Sequence, residues 1–490
     1  MGARDVRVAV IGAGPSGIAT AIALRRSGIT DYVVLEKGDD VGGTWRENTY
    51  PGCGCDVPSH WYSYSFDPNP FWSRFYSRQP EIQRYFRASA RRHDVYDDIR
   101  FGVAVTAARW DPAAQRWRLK TSDGEYTAQV LAAAPGPLHE PVVPSLPGTF
   151  EGTAFHSARW DHGHDLTGKR VAVIGTGASA IQFIPEIAPK VASLHVFQRT
   201  PSWVLSKLDF SIPWTAQYLM RTVPITGRAV RLGIYAVHEA IGVAFRHEAL
   251  MRRVQTAARL QLFRQVRDAR LRAKLSPSFT LGCKRIMVSN TYYPALTRSN
   301  VQVHPAAARL TANSVIGADG VAAAVDTIIY GTGFEITDPP VARYVFDGDG
   351  NSLASRWSTD PPQAYLGTAI AGFPNLFVFL GPNLAPGHAS VLGTIENQAQ
   401  YVADAVSAMA RSGWASLQVR PEVHRRYNEA VAKALGPTVY NAGGCSSYYR
   451  DAEGHNVANW PWSVARLYRD LRFRAGDYQV TNADRDLVNA

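Results

Sequence analysis

The chain opens on an apolar run, Val6 to Ile11, of the kind that fills a parallel strand buried on both faces, and the run breaks into the glycine turn GAGPSG. Apolar residues then recur at helical spacing from about Ser16 to Arg26, and a second apolar run, Tyr32 to Leu35, delivers Glu36. The same order returns later: a strand over Val171 to Ile174, the turn GTGASA, a helix to about Ala188, and a strand over Leu194 to Phe197. Between the two units the pattern predicts an amphipathic helix from Gln79 to Arg92. It also predicts antiparallel strands near Phe101 to Trp110 and Trp117 to Lys120, joined by a polar turn. Leu131 to Pro137 closes this first lobe, and Pro141, Pro144 and Pro147 mark a linker. Phe150 to Asp161, FEGTAFHSARWD, belongs to neither unit; taken alone it reads as a connector with a satisfied His156 and a packed Trp160.

Beyond Phe197 the pattern turns to long helices from about Pro213 to Lys274, interrupted near Pro224. The arginines from Arg246 to Arg272 read as the solvated face of an inserted helical subdomain, and the other reading, for its apolar stretch near Ile234 to Phe245, is contact with a membrane surface. Leu281 to Leu296 mixes loop and strand. Val325 to Ile329 is a buried strand ending in Gly331, Gly333 and Phe334. Leu376 to Leu380 is another strand, followed by GPNLAPGHAS with Asn383 and His388, and by a helix from near Ser390 to Ala410. The aromatic and glycine cluster from Tyr440 to Trp462 suits an active-site rim or C-terminal packing, and the residues after about Tyr478 read as polar and frayed. The fold class is therefore α/β, with two dinucleotide-binding, Rossmann-like domains. One is discontinuous, 1–145 and 334–490; the other, 146–333, includes a helical insertion at about 210–278.

Length and composition narrow the function. A chain of 490 residues suggests two or three domains. Its 52 Lys and Arg against 41 Asp and Glu give a net charge of +11, but the charge is dispersed and no zinc-finger spacing accompanies it, so an enzyme of polyanionic dinucleotides fits better than a nucleic-acid binder. Cys53, Cys55, Cys283 and Cys445 are too few and too irregular for a disulfide framework, and no metal-ligand spacing is present. The first strand leaves no room for a signal peptide and no apolar run reaches membrane-span length, so a soluble, cytoplasmic protein is expected.

The chemistry sits on the turns. Gly12, Gly14 and Gly17, with Ser16 opening the helix, let a backbone approach a pyrophosphate at the helix N-terminus, while Glu36 can accept from ribose hydroxyls and would repel a 2′-phosphate. That assigns FAD to the first site, with Lys37 and Val103 flanking it. Gly43, Thr44, Trp45 and Tyr62 belong to a glycine- and aromatic-rich stretch suited to a flat ring. Asp56 lies in that stretch, and is either a turn-capping residue or a buried charge that needs a cationic or hydrogen-bonding partner. The second turn, Gly175, Thr176, Gly177, Ser179 and Ala180, is followed by Arg199 and Thr200 where the first unit carries its acid. A cation and a hydroxyl there suit the 2′-phosphate of NADPH. Lys284 can join that cluster and Arg285 can face the chemistry, unless both are surface residues. Asn383 adds a contact near the last glycine turn. Two dinucleotide sites in one chain imply hydride passing from nicotinamide to flavin.

Taken in order, these stretches resemble the type I Baeyer–Villiger monooxygenases of the class B flavoprotein monooxygenase family, similar to bacterial enzymes acting on aryl, cyclic and steroid-type ketones. Phe150, Gly152, His156, Trp160 and Asp161 match the family fingerprint. GAGPSG, GGTW, the YPG and CD stretch, GTGASA, QRTPSW, GCKR, DTIIYGTGF, GPN with GH, and Trp460–Pro461 extend the match along nearly the whole chain. The resemblance implies that NADPH reduces FAD, that O2 gives a C4a-peroxyflavin, and that a hydrophobic ketone becomes an ester or lactone. It implies Arg285 as the active-site arginine, Asp56 as the carboxylate that orients it, and Arg199, Thr200 and Lys284 as 2′-phosphate contacts. It also implies His156 as a residue that tunes domain movement, not a general base. One departure is Ser447, Tyr448, Tyr449 where many relatives carry serine, tryptophan and tyrosine; Tyr448 and Tyr449 are a candidate rim for substrate and NADP. The alternatives are a flavin monooxygenase that oxygenates nitrogen or sulfur, a flavin disulfide reductase, which the Cys-Gly-Cys arrangement disfavours, and a non-catalytic dinucleotide sensor.

Overall fold

The computed structural model describes residues 3–336 and 339–483. The first glycine unit sits at the centre of an eight-stranded sheet ordered Val345–Phe346, Val105–Asp111, Arg116–Thr121, Gly124–Ala133, Arg4–Ile11, Tyr32–Leu35, Ile99–Arg100, with Leu376–Val378 also paired to Gly124–Ala133. Arg4–Ile11 runs parallel to both its neighbours, and Val8 to Ile11 are buried on both faces, which is why that stretch shows no alternation. The hairpin Val105–Asp111 with Arg116–Thr121 is antiparallel and joins the sheet edge to edge. Two late strands, Val345–Phe346 and Leu376–Val378, pair in parallel with early ones, so chain segments far apart in sequence complete one sheet. Trp117 locks this arrangement: fully buried, it donates from Nε1 to the Pro374 carbonyl at 3.0 Å. Truncating such a side chain to alanine costs about 3–5 kcal/mol.

The second unit builds an all-parallel five-stranded sheet, ordered Val301–His304, Ser193–Phe197, Arg170–Ile174, Thr327–Tyr330, Thr153–His156. The fingerprint segment is thus more than a connector. Thr153–His156 is the edge strand of this sheet, because Thr, Ala and Phe supply an extended run that pairs residue for residue with Thr327–Tyr330. Between Phe197 and Met287 stand the helices Trp214–Thr222, Pro224–Arg246, Glu248–Gln265 and Ala269–Lys274. The break expected near Pro224 falls at Val223, with proline at the first helical position, where its missing N–H costs nothing.

Two expectations fail. The residues from Tyr478 to Asn482 form a strand antiparallel to Trp414–Val419, anchored by the buried Tyr478; a strand with polar residues on its outer positions carries too weak an apolar signal to be separated from a frayed end. The rest of that expectation, 484–490, lies outside the described residues. Cys283 and Cys445 form a disulfide although 162 positions separate them, a pairing made by the fold and invisible in spacing. Among the described residues, no helix is long and apolar enough to cross a membrane.

Candidate active site

Each glycine unit ends in a helix whose first turn has no side-chain cap. The helix Pro15–Arg26 starts from Gly14 and the helix Ala178–Ile187 from Gly177, both in extended conformation. Backbone N–H groups at such an end remain open to an anion. The glycines are dictated by close approach. At Gly17 a Cβ would lie 1.8 Å from the Gly12 carbonyl oxygen, and Gly175, at φ +106, would place one 2.4 Å from the Gly331 oxygen. Gly43 packs on Gly14, and the Gly42 N–H bonds the Ala13 carbonyl at 2.9 Å, so the loop before Thr44 and Trp45 closes directly over the first glycine turn. Trp45 is buried, and its Nε1 donates to the Tyr62 hydroxyl at 3.0 Å. These surfaces fit a dinucleotide pyrophosphate and a flat ring.

Glu36 is buried and accepts from Ala13 N–H and Gly38 N–H, both at 2.7 Å, which fixes the carboxylate at the end of its strand with lone pairs to spare for a ribose. Val103 donates its N–H to the Glu36 carbonyl at 2.9 Å. Lys37 is drawn away into an ion pair with Glu140 at 2.7 Å on the exposed side. Asn383 holds a left-handed conformation, φ +57, and donates its amide to the Asn456 and Asn459 carbonyls at 2.7 and 3.4 Å. Its donors are committed to holding the C-terminal loop, where a cofactor contact was expected.

The second strand end is cationic. Arg199 is exposed and forms no ion pair among the described residues, and Lys284 stands over the Phe279 ring at 5.1 Å. Burial, and then the neighbouring Arg199, lower the Lys284 ammonium below the ordinary lysine range. Two cations left side by side, with no carboxylate paired to either among the described residues, can attract a dianion. Thr176 is buried at the glycine turn, its carbonyl accepting from the Ser202 hydroxyl at 3.1 Å, and Thr200 follows Arg199 in the bend after the strand Ser193–Phe197.

Asp56 finds the partners that its loop position demanded. Its Oδ1 accepts from Gln182 Nε2 at 3.2 Å and from Lys207 Nζ at 3.3 Å, and its Oδ2 lies 3.5 Å from Arg285 Nη2. One carboxylate between two cations leaves the cluster with a net positive charge. Asp56 itself is nearly buried, while the Arg285 side chain is 40% exposed and makes no hydrogen bond to another described residue. Burial pulls the guanidinium down, Asp56 outweighs it, and Arg285 is held above its ordinary range and always charged. Sequence reasoning missed Gln182 and Lys207. Gln182 had a faint signal, as a lone amide in the otherwise apolar first turns of ASAIQFIP; Lys207 had none.

Cys53 and Cys55 are separate buried thiols, and burial pushes both up to about 12. Neither is a thiolate at neutral pH, so the dithiol chemistry of a disulfide reductase has no nucleophile in this loop.

Comparison with known proteins places this arrangement. A family profile described as pyridine nucleotide-disulphide oxidoreductase matches residues 9–241. A Baeyer–Villiger monooxygenase of Streptomyces coelicolor is 44% identical over 97% of this chain and 92% of its own length. The chain belongs to the Baeyer–Villiger monooxygenase family. Among solved structures, cyclohexanone monooxygenase from Rhodococcus sp. Phi1 bound to NADP+ is similar with a TM-score of 0.88 at 27% identity, over 98% of this chain and all of that one. OTEMO in complex with FAD and NADP matches with a TM-score of 0.88 at 25% identity, over the same shares of the two chains.

In this Baeyer–Villiger monooxygenase the fingerprint packs against the second unit. Gly152 is crowded by Phe150 and the Asp326 carbonyl, and Trp160 packs between Phe155 and Phe183 with centroids 5.3 Å from each. Asp161 is exposed and caps the Gly163 N–H at 3.0 Å. His156 is buried beside Phe334, and its Nδ1 accepts from the Ala158 N–H at 3.1 Å. Burial lowers His156 to about 4, so it is neutral and far from the Asp56 cluster in its contacts. At the rim Tyr449 is buried and Tyr448 is 44% exposed, with rings 4.7 Å apart; both phenols lie close enough to act on the Arg285 charge.

Proposed function

We propose that this chain is an FAD- and NADPH-dependent Baeyer–Villiger monooxygenase that converts a hydrophobic ketone and O2 into an ester or lactone. The observation that carries the reading is the Asp56–Arg285 pair, set where both glycine units meet and left with a net positive charge. Gly12, Gly14, Ser16, Gly17 and Glu36 would hold FAD with the Gly43–Trp45 turn. Gly175 to Ala180, Arg199, Thr200 and Lys284 would hold NADPH, through two unpaired cations that suit a 2′-phosphate. Once bound, the nicotinamide and flavin supply hydride transfer and O2 activation, chemistry no side chain provides.

The residues supply charge and orientation. Arg285 presents N–H donors free of other described partners, and a fixed guanidinium stabilises negative charge on a reacting oxygen without reorganising at the moment of reaction. Asp56 orients that guanidinium, while Lys207 and Gln182 orient Asp56. His156 positions the edge strand and takes no proton at neutral pH. The units run 1–145 with 334–490 for FAD, and 146–333 for NADPH, and the protein works in the cytoplasm.

Aerobic incubation with NADPH and a panel of ketones, amines and sulfides, with products identified by mass, tests the reading. Esters or lactones from ketones are expected; N- or S-oxides alone overturn it.

A further inference from the structure

The helical insertion has an inverted surface. From Trp214 to Lys274 the chain carries twelve Lys and Arg against three Asp and Glu, a balance of +9 in a protein whose total is +11. The same segment holds fourteen of the twenty-two exposed large hydrophobic side chains among the described residues. Neither feature is unusual alone, since surface helices are commonly charged and single exposed leucines are normal. Both on one set of helices is the informative case.

The long helix Pro224–Arg246 shows how the surface is made. Its two charged residues between Arg228 and Arg246 are turned inward. Arg231 donates to the His60 and Ser63 carbonyls at 3.0 and 2.8 Å, and Glu239 accepts from the Val464 N–H at 3.1 Å. The outward positions follow helical spacing and are apolar: Ile225, Ala229, Leu232, Ala236 and Ala240, with Val237 and Ile241 alongside. Leu232 is 65% exposed and Val237 59%. Trp214 is 72% exposed on the preceding helix, and Phe263 62% exposed on the following one.

Several cations of these helices are uncommitted. Glu248 is engaged by Arg252 and Thr280, and Asp268 caps Leu271. Arg221, Arg228, Arg253, Arg264 and Arg267 form no ion pair among the described residues. Exposed apolar side chains and unpaired arginines on one set of helices, with an exposed indole among them, supply the three contacts that an anionic lipid leaflet takes: acyl boundary, interface and phosphate. A second copy of the chain fits less well, since a face-to-face dimer would set one basic rim against another.

We propose that the helical insertion docks the protein on an anionic lipid bilayer, lying in the interface without crossing it. The proposal stands on this surface alone and does not rest on the reaction assigned above. A protein held there would meet a hydrophobic ketone where such molecules partition.

The test is co-sedimentation of the FAD-loaded full chain with phosphatidylcholine vesicles, with and without phosphatidylglycerol. Binding is expected only with phosphatidylglycerol, and should fall as salt rises. Leu232→Glu should weaken it about tenfold or more, and Arg228→Gln roughly fivefold. Both variants alter exposed positions, so FAD content and NADPH oxidation in lipid-free buffer should match the parent. The proposal is overturned if the parent stays in the supernatant with phosphatidylglycerol, or if binding survives Leu232→Glu. It is also overturned if the parent elutes as an oligomer that Leu232→Glu converts to a monomer, which would make the apolar surface an interface between copies.

Discussion

Gln182 donates from Nε2 to Asp56 Oδ1 at 3.2 Å, while its Oε1 accepts from the Gly54 N–H at 3.2 Å and the Tyr50 hydroxyl at 3.0 Å. The helix that opens on the second glycine turn therefore grips the loop that carries the carboxylate of the first unit. Gly52 makes the grip this tight, for its Cβ would fall 2.6 Å from the Gln182 carbonyl oxygen. Gln182 is thus one of the side chains, with Lys207 and Arg285, that tie the orientation of Asp56 to the second unit.

Gln182→Leu removes that tie while keeping size. It should retain FAD and fold, yet reduce flavin by NADPH about tenfold more slowly, the scale of one or two lost hydrogen bonds near a charge. Anaerobic stopped-flow reduction is the measurement. Gln182→Glu should do worse, as it adds a second carboxylate beside Asp56. Parent-like reduction in both variants would place the coupling elsewhere.

Arg285→Ala should keep FAD binding, since Arg285 pairs with Asp56 and forms no hydrogen bond to another described residue, and should lose ester formation by about two to three orders of magnitude, the scale for a fixed charge at a developing oxyanion. Arg285→Lys should recover only part, because an ammonium lacks the planar fork that reaches carboxylate and oxygen together. Ester formation by Arg285→Ala at the parent rate would remove Arg285 from the chemistry.

Arg199→Ala separates the two nicotinamide cofactors. Loss of one charge-assisted contact to a 2′-phosphate should raise the KM for NADPH roughly tenfold to a hundredfold and leave NADH almost unchanged. Lys284→Ala should act in the same direction. Equal losses with both cofactors would mean that no 2′-phosphate is read at this strand end.

The parts of the fold that were legible in the sequence are those set by local rules. Buried parallel strands ran as continuous apolar stretches, glycine turns followed them, and helices such as Gln79–Arg92 kept their period. The site was legible where an unusual residue type stood at a turn: Asp56, Arg199, Arg285. What stayed hidden depended on segments meeting in space. Lys207 reaches Asp56 from a loop with no motif, Cys283 meets Cys445 across 162 positions, and Asn383 bonds a loop seventy-odd residues away. For Pro224–Arg246 the sequence left two readings open, a solvated face and a membrane contact, since periodicity shows that a helix has two faces but not which one the rest of the protein will cover.

His60, His156 and His195 give the stability a predictable pH dependence. Burial lowers each to about 4, assisted by Arg231 at His60, Arg159 at His156, and His304 with Arg170 at His195. In the unfolded chain they return to 6.5. Between pH 6.5 and 4 the unfolded state binds more protons than the native one, so stability is fully present above 6.5 and is lost as pH falls toward 4. The loss should approach about 1 kcal/mol per pH unit for each histidine. Urea unfolding followed between pH 7.5 and 5 measures it, and His195→Gln should make the slope shallower. A flat profile in the parent would show that these rings take up protons in the fold as they do in the unfolded chain.

The Cys283–Cys445 disulfide should matter for both stability and cofactor grip. Cys283 precedes Lys284 and Arg285, and Cys445 precedes the Tyr448–Tyr449 rim, so the bond ties the cation-bearing turn to the rim. The same two segments also share a backbone hydrogen bond, Thr280 N–H to the Gly443 carbonyl at 2.9 Å, and Gly443 packs against Cys283. A bridge closing so long a loop contributes about 2–4 kcal/mol. Cys283→Ser with Cys445→Ser should therefore unfold at lower urea and raise the KM for NADPH, because Lys284 and the rim are no longer held together, while FAD content stays at the parent level. Thiol titration of the unfolded, unreduced protein supplies the check on the premise: the two free thiols of Cys53 and Cys55 are expected, and four would show that the bridge does not form. Should the bridge be present and its loss change stability alone, with NADPH kinetics untouched, the turn and the rim are positioned by their packing and the disulfide is a staple without a role at the site.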